Sequence, residues 1–366
     1  MRSDTKTGLR NDIVKSKKHL ARNIVILVIS ILFLVGGFGC IYADQLLGKI
    51  RFVAEGESSA GSQVDTGDLF EPPAESGVGK DNAKAGLIGG LYHDDAVTNI
   101  LLLGVDDWQA GDSGRSDSMM LVSIDSRHKK MKVTSFMRDI YAAIPGLGSH
   151  KLTEAYSLGG GKADGARKIL STIEANFGVD IDRFVTVDYE AFPKIIDRLG
   201  GVEIELTDET NADGITEAGL INAYSGETGH PVHTGKNTLT GLQARYYSRI
   251  RDIGNDFERT ARQRKVFASI VGKLKTASPI TVNAVLADIL PLVSTNMTKD
   301  EIVSLAGNAL TYLNYPLIQH RVPADGEWYR LENDAGDCIG ITDLEKTKQN
   351  FVKFIFEDDI PSGDYS

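Results

Sequence analysis

The chain has 366 residues, 42% of them hydrophobic and 25% charged, and carries a formal net charge of −10. That apolar content is enough for one large core or two ordinary ones, and it excludes a chain disordered throughout. Residues 1–22 hold seven Lys/Arg against two Asp, which leaves 33 basic against 48 acidic side chains in the remainder; a body so acidic lacks the footprint of a nucleic-acid binder, and no nucleic-acid partner is expected.

From the N-terminus, the basic segment precedes an uncharged run, IVILVISILFLVGGFGCIYA (24–43), of the length that crosses a bilayer. With basic residues before it and Asp44 after it, the pattern predicts a cytoplasmic tail over 1–22, a transmembrane helix over 23–43 and an extracellular remainder, with the cell membrane as a partner. A cleaved signal peptide and a lipoprotein signal at Gly39-Cys40 are the alternatives. The first lacks a clear A-x-A site, and Gly37-Phe38 fits the second poorly. Residues 44–96, rich in Gly, Ser, Asp and Glu with Pro72-Pro73 in the middle, read as a flexible stalk.

Strand and helix patterns alternate from Val97. Strands are predicted over 97–105 (VTNILLLGV), 118–125, 130–136, 183–189 and 200–206, with a Gly-rich loop, QAGDSGRSD, after the first. Helices are predicted over 151–158, 164–177, 190–199, 240–251, 257–276, 282–293, 299–313 and 343–356, with a short strand over 318–322. This interleaving implies an α/β fold: a central mixed β-sheet flanked by helices, over 97–357. The residues 358–366 form an acidic tail.

The densest chemistry lies in Arg245–Arg264, RYYSRIRDIGNDFERTARQR, with six arginines, three acids and a glutamine. Arginine offers a planar fork for phosphate or carboxylate that lysine lacks. On a helix over 257–276, Val266, Phe267, Ile270, Val271 and Leu274 make one apolar stripe, and extending it backwards reaches Gln263, Arg262 and Arg259. Charged groups on that inward face need anionic partners. Internal carboxylates such as Asp252 and Asp256 could supply them, and so could a ligand; the density of arginines, with Arg245, Arg249 and Arg251 just upstream, favours the ligand.

Asp106 ends a buried strand, where open α/β sheets place ligands, and Asp117, beside Arg115, lies across the loop. Two carboxylates with phosphate oxygens suit Mg²⁺, with Mn²⁺ as the alternative; a turn cap at Asp117 and a surface Asp106 are the plain reading of the same spacing. Arg138-Asp139 also follows a strand end and could reach the same edge, or could form a local salt bridge. Lys151 opens a predicted helix, an unfavourable place for a cation unless an anion is near. Neither Gly159-Gly160-Gly161-Lys162 nor Thr234-Gly235-Lys236 has P-loop spacing, and no motif for a covalent nucleophile or a zinc hydrolase is present.

The blocks NILLLGVD, GRSDSMMLVSID, Arg138-Asp139, KLTEAYSLGG, GGVEIEL, YYSRIR and DFERTARQ, in that order after one membrane segment, resemble the LytR-CpsA-Psr family of cell-envelope transferases, with a core over 98–276. The resemblance implies a membrane-anchored phosphotransferase that moves a glycopolymer, such as teichoic acid or capsule, from a polyprenyl diphosphate carrier to peptidoglycan through a phosphodiester, releasing polyprenyl phosphate. By motif, it implies that Asp106 and Asp117 hold Mg²⁺, that Arg115, Arg138, Arg249, Arg251, Arg259 and Gln263 bind the pyrophosphate, and that Asp106, Asp117 and Arg138 are catalytic. An apolar cavity for the polyprenyl tail is implied as well. A polyprenyl diphosphate hydrolase and a non-catalytic receptor for lipid-linked wall precursors are the alternatives. Met137 stands where the family usually has Pro, which bears on the placement of Arg138.

Overall fold

A computed structural model describes residues 45, 47–53, 86–88, 90–106, 114–188, 191–278, 290–333 and 336–357. The chain divides into two units, 1–49 and 50–366, and the sheet, helices and cavity described below all belong to the second. The expected membrane span, the loop 107–113 and the acidic tail lie outside the described residues, among which no helix is long and apolar enough to cross a membrane.

The main sheet has seven strands in the order β1 (Arg51–Phe52), β12 (Val293–Thr295), β9 (Arg183–Asp188), β4 (Val97–Asp106), β5 (Arg115–Asp125), β6 (Lys130–Phe136) and β13 (Leu317–Val322). It is mixed: β4 runs antiparallel to β5 and parallel to β9, while β6 runs antiparallel to β5 and parallel to β13. Hairpins are formed by β2 (Gly86–Ile88) with β3 (Leu91–His93), β7 (Tyr141–Ile144) with β8 (Gly148–Lys151), β10 (Val202–Leu206) with β11 (Gly235–Leu239), and β14 (Trp328–Asn333) with β15 (Gly336–Ile341). The helices are α1 (Glu154–Leu158), α2 (Lys162–Phe177), α3 (Ala191–Arg198), α4 (Glu217–Tyr224), α5 (Gly241–Tyr247), α6 (Asp256–Thr276), α7 (Lys299–Leu313) and α8 (Leu344–Phe356).

The apolar run Ile100–Val105 of β4 follows from burial on both faces. Leu101 and Leu103 join a core with Ile169, Ile173 and Phe177 of α2 and Phe351 and Ile355 of α8. Their strand neighbours Ile100 and Leu102 belong with Val122, Val133, Phe267 and Ile302 in a second core. A third, around the β10–β11 hairpin, holds Ile196, Ile204, Leu239, Tyr247 and Val266. Val266 and Phe267 thus place α6 in contact with two cores at once. A capping box, Asn255 with Glu258, fixes where α6 begins.

Several predicted boundaries move. Residues 148–151 are the second strand of a hairpin, and the helix expected from Lys151 starts at Glu154; Lys151 therefore ends a strand, and Asp139 sits 3.7 Å from its Nζ. The helix expected over 240–251 stops at Tyr247, which frees the arginines after it from helical geometry. Of the helix expected over 282–293, residues 282–289 lie outside the described residues, and Val293 is in a strand. Both ends of the segment read as stalk are folded: Arg51–Phe52 pairs with β12, and backbone hydrogen bonds tie Tyr92 to Gly178 and Asp180 and the Ala96 carbonyl to the Ser126 N–H. An edge strand of two residues needs no apolar run to declare it.

Candidate functional site

The β4–β5 pairing slips between Gly104–Ser118 and Val105–Ser116, so Asp117 is the extra residue of a β-bulge. Ser118 Cβ would lie 3.1 Å from any Cβ at position 104, a close approach that favours glycine in this strand. Thr153 Oγ1 donates to the Ser116 carbonyl at 2.8 Å and steadies the bulge. Freed from the ladder, Asp117 accepts a 2.6 Å hydrogen bond from Arg138 Nη1.

Arg138 leaves the end of β6, held by its neighbours. Met137 is fully buried and its N–H donates to the Val322 carbonyl at 3.0 Å. Proline could not make that bond, so methionine here serves the parallel β6–β13 pairing. Arg138 Nε also lies 3.5 Å from Asp139 and 3.7 Å from Asp256.

Arg259, 3% exposed, meets Asp256 at 2.7 Å one turn back on α6 and donates to the Asp117 carbonyl at 3.2 Å. Arg251, about half exposed, is 3.7 Å from Asp256. Burial alone would raise the Asp117 pKa, but the guanidinium groups of Arg138, Arg259 and Arg251 outweigh it and hold the carboxyl below its ordinary range. Arg251 shifts down through burial and the repulsion of Arg138 and Arg259. Five arginines, Arg138, Arg245, Arg249, Arg251 and Arg259, line the adjoining cavity against one lining carboxylate, Asp117, the condition under which an added anion is attracted.

These groups rim a cavity of about 510 Å³ lined by Asp117, Arg138, Arg245, Arg249, Arg251, Arg259 and Gln263 at its polar side, with Leu102, Met120, Val187, Phe192, Ile195, Phe267 and Ile270 forming apolar walls. A larger hollow of about 1070 Å³ between β10 and α6 has no arginine in its lining; charge, not volume, distinguishes the two.

Of the residues singled out from sequence, Asp117, Arg138, Arg249, Arg251, Arg259 and Gln263 converge on this cavity. Arg115, the first residue of β5, is exposed and is not among the lining residues. Asp106 pairs with Arg115 at the end of the β4–β5 ladder, and its side chain lies outside the described residues. Asp252 is exposed, whereas Asp256 meets three arginines. Asp256 precedes Arg259 by three residues, one helical turn, and that spacing was its signal.

Arg262 is buried but serves the backbone. Its Nε meets Glu217 Oε1 at 2.7 Å, its Nη1 donates to the Ile250 carbonyl at 3.0 Å, and its Nη2 donates to the Ile253 carbonyl at 2.9 Å. Glu217 Oε2 accepts the Thr207 N–H. The two carbonyls flank Arg251, so this buried pair shapes the segment that presents Arg249 and Arg251. Nothing in the sequence connects Glu217 with Arg262 across 45 residues.

A cationic mouth over an apolar cavity, on a mixed α/β sheet, is a receptacle for an amphiphile with an anionic head. The chain belongs to the LytR_cpsA_psr family, whose model matches residues 73–347. It is 34% identical over 247 residues to a polyisoprenyl-teichoic acid–peptidoglycan teichoic acid transferase TagU of Bacillus cereus, covering 65% of this chain and 74% of that one. The TagU of Oceanobacillus iheyensis is 31% identical over 317 residues, covering 84% and 88%. In fold the chain is similar to B. subtilis TagT, with a TM-score of 0.55 at 21% identity over 75% of this chain and 97% of that one.

Proposed function

We propose that this protein is a membrane-anchored phosphotransferase that moves a teichoic acid-like glycopolymer from a polyprenyl diphosphate carrier to peptidoglycan. The observation that carries this reading is the convergence of Arg138, Arg251, Arg259 and the bulged Asp117 at the mouth of an apolar-walled cavity. The names of the curated relatives point to the same chemistry. In this reading the arginines hold the diphosphate, the apolar walls take the prenyl chain, and residues 23–43 anchor the domain outside the cell.

A wall-sugar hydroxyl attacks the sugar-linked phosphorus. A new O–P bond forms, the bridging P–O bond breaks, polyprenyl phosphate departs, and a nearby carboxylate takes the hydroxyl proton. Asp106 and Asp117 are the nearest choices for that base in sequence. Charge builds on the bridging oxygen as it leaves, and the fixed guanidinium groups of Arg138, Arg251 and Arg259 stabilise it without reorganising. Asp256 keeps Arg259 and Arg251 pointed at the mouth.

Mg²⁺ fits the donor chemistry here: Asp117 is a carboxylate held ionised, with Oδ1 engaged by Arg138 and Oδ2 without a hydrogen bond among the described residues. Asp106 and Asp117 would hold it, with Mn²⁺ as the alternative, and when bound it would neutralise diphosphate charge.

The test uses the full chain in lipid nanodiscs with lipid-linked teichoic acid, peptidoglycan fragments and Mg²⁺. Transfer predicts a covalent peptidoglycan adduct by mass together with polyprenyl phosphate. Release of polyprenyl phosphate that is independent of peptidoglycan would establish a hydrolase instead. Binding without turnover would establish a receptor.

A further inference from the structure

Two of the three arginines of α6 are matched by acids: Arg259 meets Asp256 and Arg262 meets Glu217. The third, Arg264, one residue beyond the cavity-lining Gln263, has no hydrogen bond or ion pair among the described residues, and its Nη1 is sealed from solvent. Burial, and then repulsion by Arg321, pull its pKa down to about 10. The acids that follow β13 are already engaged. Asp325 pairs with Arg321, and Glu327 accepts the Ala324 N–H at 3.0 Å and Asn350 Nδ2 at 2.6 Å. A buried cation without an anion is unfavourable, and native structures rarely keep such a group without a cause.

A second unpartnered group lies beneath it. Thr260 Oγ1 approaches Met137 Sδ at 3.3 Å, and Phe267 packs in one cluster with Val133. Four helical residues rise roughly 6 Å and two strand residues roughly 6.6 Å, so α6 and the end of β6 keep step in opposite directions. Arg264, between Thr260 and Phe267, therefore stands over Ser135, between Met137 and Val133. Ser135 is 1% exposed, and its Oγ has no hydrogen bond. Arg321 pairs with Ser135 in the β6–β13 register, which sets both side chains on one face of the sheet. Its guanidinium carbon lies 4.3 Å from the centre of the Phe257 ring, two helical turns before Arg264 on the same stripe of α6. The hollow of about 1070 Å³ between β10 and α6 opens beside this group: its lining includes Lys265, next to Arg264, and Gln319, two residues before Arg321 on the same side of β13.

We propose that Arg264, Ser135 and Arg321 form a second anion site, built for one phosphate group, between α6 and the β6–β13 edge of the sheet. The Arg264 fork and the Ser135 hydroxyl donate to phosphate oxygens, and Arg321 adds positive charge. None of the three lines the diphosphate cavity, so the two sites are separate. The occupant rests on the transferase reading: it is a phosphodiester of the anionic glycopolymer, further along the chain than the diphosphate that links it to the carrier. Free inorganic phosphate offers the same chemistry, and the arms of the test separate the two sources.

The experiment uses the full chain in lipid nanodiscs at matched ionic strength. Inorganic phosphate, a glycerol phosphate oligomer and a short-chain prenyl diphosphate are each titrated by calorimetry, and melting is followed with and without phosphate. The wild type should bind phosphate saturably and melt higher in its presence. Arg264→Met and Ser135→Ala should weaken phosphate binding at least 10-fold and lose the Tm shift, while their affinity for the prenyl diphosphate stays within about twofold of wild type. Oligomer binding that falls together with phosphate binding in these variants upholds the site with the polymer as its occupant; loss of phosphate binding alone upholds it with free phosphate. Phosphate binding that Arg259→Ala abolishes and Arg264→Met spares belongs to the diphosphate mouth and overturns the proposal, as does a wild type that binds no phosphate or an equal Tm shift in wild type and both variants. Failure of the transferase reading would show instead as no binding of the prenyl diphosphate, with the phosphate arm unchanged.

Discussion

Arg262→Met tests how the arginine segment is held in place. The substitution keeps the apolar stem and strands Glu217, which is 2% exposed and faces the missing guanidinium from 2.7 Å. Breaking one side of a buried ion pair costs about 3–5 kcal/mol. At roughly 2 °C per kcal/mol for a domain of this size, Tm should fall by about 6–10 °C. The Ile250 and Ile253 carbonyls lose their donors as well, so Arg249 and Arg251 shift and KM for the lipid-linked donor should rise more than kcat falls. Adding Glu217→Gln removes the stranded charge, and the double variant should recover about 0.5–3 kcal/mol relative to the sum of the single effects. Differential scanning fluorimetry and donor titration read both outcomes. A single variant melting within about 2 °C of wild type, or strictly additive effects, would show that the pair does not hold this segment.

Arg259→Ala removes a buried cation from between Asp256 and Asp117, and donor affinity should drop roughly 10- to 100-fold, the range of a charge-assisted hydrogen bond, as read by calorimetry with a short-chain prenyl diphosphate. Met137→Pro restores the residue usual in the family but deletes the N–H that meets Val322; a loss of about 1–3 kcal/mol is expected in denaturant melts, and a gain in stability would refute the role given to that bond. Burial first, then Asp180 and Asp182, push Glu174 up to about 7 against the pull of the Ile181 N–H. Its folded pKa exceeds the ordinary 4.5, so the native state binds the proton more tightly. The contribution is therefore present at acid pH and lost as pH rises from about 4.5 towards 7, and Glu174→Gln should flatten melting curves across that window.

Local pattern was enough to define the class of fold and to single out the arginine segment that lines the cavity. A continuous apolar run such as 100–105 can only be buried on both faces, and arginines on the inward side of an amphipathic helix must meet an anion; both signals survive without coordinates. Hairpins such as 141–151 and 328–341 carry no comparable periodicity, because short partly exposed strands are selected by what they pair with. The assembled fold was needed to place Asp117 in a bulge and to set Asp256 against three arginines while Asp252 faces solvent. It was needed, too, to show that Arg262 clamps backbone through Glu217 instead of joining the cavity. Those outcomes depend on register and on contacts between residues tens of positions apart, and the free energy of such contacts is not written in any one segment of the chain.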